Sequence, residues 1–237
     1  MNCSKTIAKL KKLCGYFTLF EWVLWLASIS SILISFLLSG DFYPLTLIAS
    51  LLGVTALVFI AKGNVIGQAI LIVFSLIYGV ISIRSRYYGE MITYVFMSAP
   101  AAIAACVSWL KNPSKKGKNE VKIAAMTKKK CIGLTVCTLL VTVLFYFILA
   151  YFNTANLLLS TVSVSTSFFA AGLVFFRHPA YALAYAANDV VLIGLWVAAS
   201  LLSLSYLPMV VCFVAFLCND LYGFYNWMRM KKRQQEE

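Results

Sequence analysis

Residues 43–84 read YPLTLIASLLGVTALVFIA, then KGN, then VIGQAILIVFSLIYGVISIR, so two apolar runs flank one short polar break. Each run is close to the roughly 20 residues that an α-helix needs to cross the hydrocarbon core of a membrane. Because lipid offers no partner for backbone N–H and C=O groups, runs of this length predict helices. The break holds only Lys62, Gly63 and Asn64, which predicts that the two helices are antiparallel neighbours.

The same pattern fills most of the chain, which is 62% hydrophobic and only 12% charged. Soluble domains usually carry about one quarter charged residues, so this composition excludes a large soluble domain. The first apolar run follows Lys5, Lys9, Lys11 and Lys12 but is too long for a signal peptide, and we interpret it as a retained helix. The sequence predicts an all-α integral membrane protein with about eight transmembrane helices, near residues 16–38, 43–61, 65–84, 90–110, 131–151, 156–176, 181–203 and 206–228.

The pattern recurs at an offset of 118 residues, which carries Tyr78 onto Trp196 and Trp109 onto Trp227. Each unit has four predicted helices, so both units enter the membrane from one side and the repeat is parallel. Many transporters are built from such repeats and bind substrate at the interface between them. We therefore divide the chain into a basic amino terminus, a first helical unit, a solvated Lys-rich linker, a second helical unit and a tail: 1–15, 16–110, 111–130, 131–228 and 229–237.

Positive charge lies mainly in the amino terminus, the linker and the tail, and such residues mark the cytoplasmic side. The linker carries Lys111, Lys115, Lys116, Lys118, Lys122, Lys128, Lys129 and Lys130. Both termini are therefore predicted to be cytoplasmic, and only Arg84 and Arg86 oppose this orientation. Because these charges sit beside lipid, the bilayer rather than a nucleic acid is the expected partner.

Candidates for catalysis or metal binding are few. The chain has one histidine, His178, and seven cysteines without C-x-x-C or zinc spacing, and it lacks an H-E-x-x-H motif. We predict no metal, no cofactor and no enzymatic activity.

Two Asn-Asp dipeptides interrupt the last two apolar runs, Asn188-Asp189 and Asn219-Asp220. Both aspartates are predicted to lie ~12 Å from the same membrane face, given a rise of 1.5 Å per residue. Charged residues within a span usually face a pathway or a partner. The pattern favours a polar substrate chamber or gate, with a purely structural hydrogen-bonded pair as the alternative.

Aromatic residues divide into two groups. Trp109, Trp227 and Tyr181 lie near predicted helix ends, which is typical of the interfacial belt. Tyr78 and Trp196 correspond across the repeat and lie near mid-membrane, where they could enclose a flat cationic ring. Packing is the alternative for Tyr78.

Residues 50–109, with Ala61-Lys62-Gly63, Tyr88-Gly89-Glu90 and Trp109, resemble the first half of the PnuC family of nicotinamide riboside transporters. The motifs YAANDVVLIGLW (185–196) and FLCNDLYGFYNW (216–227) are similar to its carboxyl-terminal half. The resemblance implies a SWEET-like fold in which spans two to four and six to eight form triads, span five links them and span one is peripheral. It also implies facilitated diffusion by alternating access in a bacterial cytoplasmic membrane, with the vitamin trapped inside by phosphorylation.

The family often has tryptophan near the start of the seventh span, where this chain has Tyr181 and Tyr185. Thiamine, riboflavin and deoxynucleosides therefore stay open as substrates. Ion coupling, a homo-oligomer and a non-transporting membrane scaffold are further alternatives. Asp189 and Asp220 are expected to balance charge or to form a gate. The predicted substrate-binding residues are Gln68, Tyr78, Asn188, Trp196, Asn219, Tyr222 and Asn226.

Overall fold

The computed structural model describes residues 15–39, 44–84, 88–114, 120–154, 156–201 and 204–236. Most of the predicted basic amino terminus lies outside the described residues, as do Arg86 and the linker lysines 115, 116 and 118.

The described chain is built from helices. In chain order they are α1 (Leu19–Ser39), α2 (Pro44–Ala61), α3 (Val65–Arg84), α4 (Tyr88–Ile92), the π-helix π1 (Thr93–Ser98), α5 (Ala99–Leu110), α6 (Lys128–Tyr151), α7 (Leu157–Phe175), α8 (Tyr181–Ser200), a 3-10 turn (Leu204–Tyr206) and α9 (Leu207–Gln235). Within the described residues, eight helical segments are long and apolar enough to cross a membrane, and α4, π1 and α5 together contribute one of them. The eight predicted spans are therefore confirmed, whereas their grouping into SWEET-like triads stays a prediction.

The fourth span changes its winding midway. The Ala99 N–H donates to the Tyr94 carbonyl five residues back, which is the π-helical pattern. Pro100 follows directly, and because it has no N–H it cannot make the ordinary helical hydrogen bond. Short π-helical stretches often occur at functional sites, and this one reaches the centre of the bundle.

Helices α2 and α3 form a tight pair. A Cβ atom at Gly67 would lie 2.7 Å from the Ala56 carbonyl oxygen, so only glycine permits this approach. The turn between the helices uses Gly63 at φ +65, the left-handed conformation in which glycine commonly ends a helix.

One end of the bundle, which we call the basic end, gathers residues 62–64, 111–114, 120–127 and 176–180 with the end of α9. The described part of the linker folds across it. The Val121 N–H donates to the Gly63 carbonyl at 3.0 Å and the Ala124 N–H to the Arg177 carbonyl at 3.1 Å. Val121 is buried, so the prediction of a solvated linker is wrong at this position.

The last helix is longer than predicted and includes most of the expected tail. Arg233 and Gln234 bind the Glu120 carboxylate, and the Gln234 side-chain oxygen accepts from the Ile123 N–H at 2.8 Å. These contacts with the linker fix the final turns of α9, and the basic residues there suit the negative end of a helix dipole.

Candidate functional site

A cavity of about 80 Å³ lies at the centre of the bundle. Side chains from α2, α3, π1, α5, α7, α8 and α9 form its wall. Its polar lining residues are Gln68, Ser75, Tyr94, Ser98, Ser167, Tyr181, Tyr185, Asn188, Asp189 and Asp220. Among the residues that the structure describes, no lysine, arginine or histidine lines it, so its only formally charged side chains are acidic.

The two aspartates meet in this wall. Asp189 on α8 and Asp220 on α9 are both buried in this wall, and their carboxyl groups are close enough to interact. This confirms the prediction that they lie at one depth. Two neighbouring buried carboxyl groups are suited to balance a positive charge that enters the cavity.

Several polar atoms in the cavity wall have no internal partner. Within the described part of the chain, the unpartnered buried atoms include Gln68 Nε2, Ser75 Oγ and Asp189 Oδ2, all from cavity-lining residues. An unsatisfied buried polar group costs roughly 1–3 kcal/mol, and such groups are uncommon in folded proteins. Donors and an acceptor of this kind are the atoms that a bound polar molecule would satisfy.

Asn188 lies beside this group and is held from the neighbouring helix. Ser163 Oγ and Thr166 Oγ1 on α7 donate to Asn188 Oδ1 at 3.0 and 2.9 Å. Of the nine predicted site residues, the structure thus brings Gln68, Asn188, Asp189 and Asp220 together around one cavity.

The predicted aromatic site residues, Tyr78 and Trp196, do not line the cavity. The ring of Tyr94, which lines the cavity, packs 4.2 Å from the ring of Tyr78 and 5.9 Å from that of Phe74, measured between centroids. Tyr78 therefore supports the cavity wall from behind. Trp196 lies two helical turns beyond Asp189 and packs 5.7 Å from Tyr206, so it does not reach the cavity.

Asn219, Tyr222 and Asn226 also lie away from the cavity. Successive residues of a helix point about 100° apart, so Asp220 faces the cavity while Asn219 faces elsewhere. The Asn219 Nδ2 donates to Ser28 Oγ on α1 at 3.1 Å, and the Asn226 Nδ2 donates to the Ala61 carbonyl at 2.8 Å. The assignment of all three to one substrate chamber with Asp220 is corrected accordingly.

Tyr222 belongs to a separate ionic cluster at the basic end. Its hydroxyl donates to Glu21 Oε1 at 2.8 Å, and Lys62 Nζ lies 2.9 Å from both oxygens of the same carboxylate. Glu21 also accepts from the Thr18 N–H at 2.7 Å, which caps α1. A groove of about 1230 Å³ borders this cluster. Because Glu21 is bonded to Lys62 and Glu120 to Arg233, the charges of the groove largely satisfy each other, and we prefer the central cavity as the site.

Several residues of the cavity and of the ionic cluster were not predicted from the sequence. Ser75 follows Gln68 by seven residues and so shares its helical face, a spacing that could have revealed it. Glu21 is a carboxylate within the first span, and such residues generally have a partner. No comparable signal in the chain identifies Ser163 and Thr166 as neighbours of Asn188.

Comparison with known proteins agrees with this architecture. The model of the family described as "Nicotinamide mononucleotide transporter" matches residues 43–229. The nicotinamide riboside transporter PnuC of Neisseria mucosa is 25% identical over 229 residues, covering 94% of this chain and 86% of that protein. The PnuC of Haemophilus influenzae is 26% identical over 190 residues, covering 80% of this chain and 81% of that protein.

A crystal structure of the vitamin B3 transporter PnuC has the same fold. It aligns with a TM-score of 0.77 at 23% identity, covering 92% of this chain and 94% of that chain. The resemblance to the PnuC family and the all-helical membrane fold predicted from sequence are confirmed. The matched proteins are transporters and not enzymes.

Proposed function

Because the chain belongs to the nicotinamide mononucleotide transporter family, we propose that it carries nicotinamide riboside across the membrane by facilitated diffusion. The central cavity is the proposed binding site. The observation that carries this proposal is the Asp189–Asp220 carboxyl pair, enclosed with unpartnered amide and hydroxyl groups inside the bundle.

The charge of the cavity favours the riboside over the mononucleotide. Nicotinamide riboside has a cationic pyridinium ring, whereas the mononucleotide adds a phosphate group with negative charge. A buried phosphate needs cationic or N–H partners. The described lining of the cavity supplies a carboxyl pair and no basic side chain, which attracts the ring and repels the phosphate.

The lining also matches the remaining chemistry of a ribosylated ring. Tyr94, Tyr185 and Phe74 present aromatic surface for stacking or for cation–π contact. Gln68 and Asn188 supply amide groups for the carboxamide and the ribose. Asp189 and Asp220 balance the charge. In this proposal Tyr78 acts by supporting Tyr94, and Trp196 lies outside the binding site.

The size of the cavity supports alternating access. Ligand sites generally measure roughly 300–1,000 Å³, so a cavity of about 80 Å³ must expand to hold a nucleoside. We propose that α8 and α9 move relative to α3 and π1, so that the cavity enlarges and opens to one side at a time. The basic end faces the cytoplasm of a bacterial cell, both termini lie on that side, and intracellular phosphorylation traps the substrate.

Counterflow in proteoliposomes tests this function. Vesicles loaded with unlabelled nicotinamide riboside and containing the purified full-length protein should accumulate labelled nicotinamide riboside, with the membrane potential clamped to zero. An imposed pH or sodium gradient should not change the flux. Nicotinamide mononucleotide, thiamine and riboflavin serve as competitors. Exclusive competition by thiamine would reassign the substrate within cationic vitamins, and absence of counterflow would leave the non-transporting scaffold.

A further inference from the structure

Helix α7 carries an unusually polar run for a transmembrane segment, STVSVSTS at residues 160–167. Hydroxyl groups in helices commonly donate to the carbonyl four residues back. Thr161 does so, since its Oγ1 lies 2.7 Å from the Leu157 carbonyl oxygen. Ser163 instead directs its hydroxyl across the helix interface to Asn188, and Thr166 Oγ1 lies 2.9 Å from both the Val162 carbonyl oxygen and Asn188 Oδ1.

The two hydroxyls meet one atom of the Asn188 amide. Ser163 and Thr166 are three residues apart, which places both on the same face of α7. Ser163 Oγ has Asn188 Oδ1 as its acceptor at 3.0 Å. Thr166 Oγ1 lies 2.9 Å from the same oxygen, and it also approaches the carbonyls of Val162 and Ser163. The single hydrogen of the Thr166 hydroxyl is shared among these acceptors. When it points to Asn188, the two hydroxyls occupy both lone pairs of the amide oxygen.

We propose that Ser163 and Thr166 are positioning residues that turn the N–H groups of Asn188 toward the cavity, so that the site selects a substrate with a carbonyl oxygen. Asn188 then presents donors only, and Gln68 adds an unpartnered Nε2 donor to the same cavity. The complementary group on a pyridinium riboside is the oxygen of its carboxamide. This inference rests on the proposed function, because it requires the riboside to occupy the central cavity.

The test compares two ligands that differ only in the carboxamide, nicotinamide riboside and ribosylpyridinium. Calorimetry on the purified full-length protein in lipid nanodiscs gives the ratio of their Kd values. In the Ser163→Ala/Thr166→Val double variant, the amide of Asn188 is free to rotate. We expect the preference for nicotinamide riboside to fall roughly three- to tenfold, as for one well-oriented hydrogen bond, with the affinity for ribosylpyridinium unchanged.

Matched variants on the same helix separate positioning from packing. Thr161→Val removes a hydroxyl that bonds only its own helix backbone, and Ser165→Ala removes a neighbouring hydroxyl. Both should keep the wild-type ratio. Thr166→Ser keeps the hydroxyl without the methyl group and should also keep the wild-type ratio of Kd values. The single variant Ser163→Ala removes one oxygen atom and serves if the double variant does not fold.

The outcomes distinguish failure of the positioning role from failure of the proposed function. An unchanged ratio in the hydroxyl-deficient variants, or an equal loss of affinity for both ligands, overturns the positioning role while leaving the proposed function in place. If the unaltered protein binds no nicotinamide riboside, both the proposed function and this inference are overturned.

Discussion

The indole rings of Trp109 and Trp227 lie 5.4 Å apart between centroids, and each ring binds the opposite half of the chain. Trp109 Nε1 donates to the Val174 carbonyl at the end of α7, at 3.0 Å. Trp227 Nε1 donates to the Ile60 carbonyl at the end of α2, at 2.9 Å. Both tryptophans are buried, so their assignment to an interfacial belt is wrong. They join the two halves across the basic end.

Removing either indole N–H should loosen this end. Phenylalanine keeps an aromatic ring but cannot donate, so Trp109→Phe and Trp227→Phe each lose one buried hydrogen bond. We expect a cysteine introduced at Ala101, in a background without reactive native cysteines, to react roughly two- to tenfold faster with a maleimide added from the basic end. Trp22→Phe on α1 is the control. Equal rates in all three variants would show that the tryptophan pair does not close this end.

Replacing either of the paired carboxyl groups should weaken the preference for a cation. Asp189→Asn and Asp220→Asn preserve shape, but each removes a carboxyl group from a cavity whose described lining has no basic side chain. We expect nicotinamide riboside affinity, measured by calorimetry, to fall at least roughly tenfold in each variant.

Asn219→Ala is the matched control for these variants, since Asn219 is adjacent to Asp220 but binds α1. It should lower thermal stability and leave the affinity for the riboside unchanged. Unchanged affinity in both aspartate variants would contradict the charge-balancing role.

The sequence predicted the depth of the two aspartates but not the direction in which the neighbouring side chains point. Residue spacing along α8 and α9 was enough to place Asp189 and Asp220 at one depth, because helix rise is fixed. The rotation of each side chain around its helix depends on neighbours distant in the chain. Asn219 binds Ser28, which lies 191 residues away, and no local pattern indicates that contact.

The wrong assignment of Trp109 and Trp227 to an interfacial belt has a similar cause. A tryptophan near a helix end fits both an interfacial belt and a buried contact, and hydropathy cannot separate the two. Trp109 and Trp227 are buried because the described linker residues fold over the basic end, with Val121 in the same apolar cluster. Composition alone predicted a solvated linker, so the cover over these rings could not be anticipated.

Tyr222 provides a direct test between the sequence assignment and the structure. Its hydroxyl donates to the buried Glu21 carboxylate rather than to the cavity. Tyr222→Phe should therefore leave nicotinamide riboside affinity unchanged and destabilise the protein by roughly 1.5–3 kcal/mol, as for a hydrogen bond to a charged group.

A thermal unfolding scan and calorimetry on the same preparation measure both quantities. Tyr225→Phe is the control, because Tyr225 is exposed on the same helix. A loss of affinity without a loss of stability would return Tyr222 to the substrate site.

Stability at the basic end should depend on pH through His178, the single histidine of the chain. Partial burial, and then the positive charge of Lys231, lower its pKa from the ordinary value of 6.5. Its Nδ1 accepts from the Ala180 N–H at 3.3 Å, which also requires the neutral ring. Because the folded-state pKa is the lower one, this contribution to stability is fully present above pH 6.5 and is lost as the pH falls.

The apparent thermal midpoint should therefore decrease from pH 7.5 to pH 5, and less steeply in His178→Gln, whose amide oxygen can still accept the hydrogen bond. Parallel curves for the two proteins would assign the acid sensitivity to carboxyl groups instead.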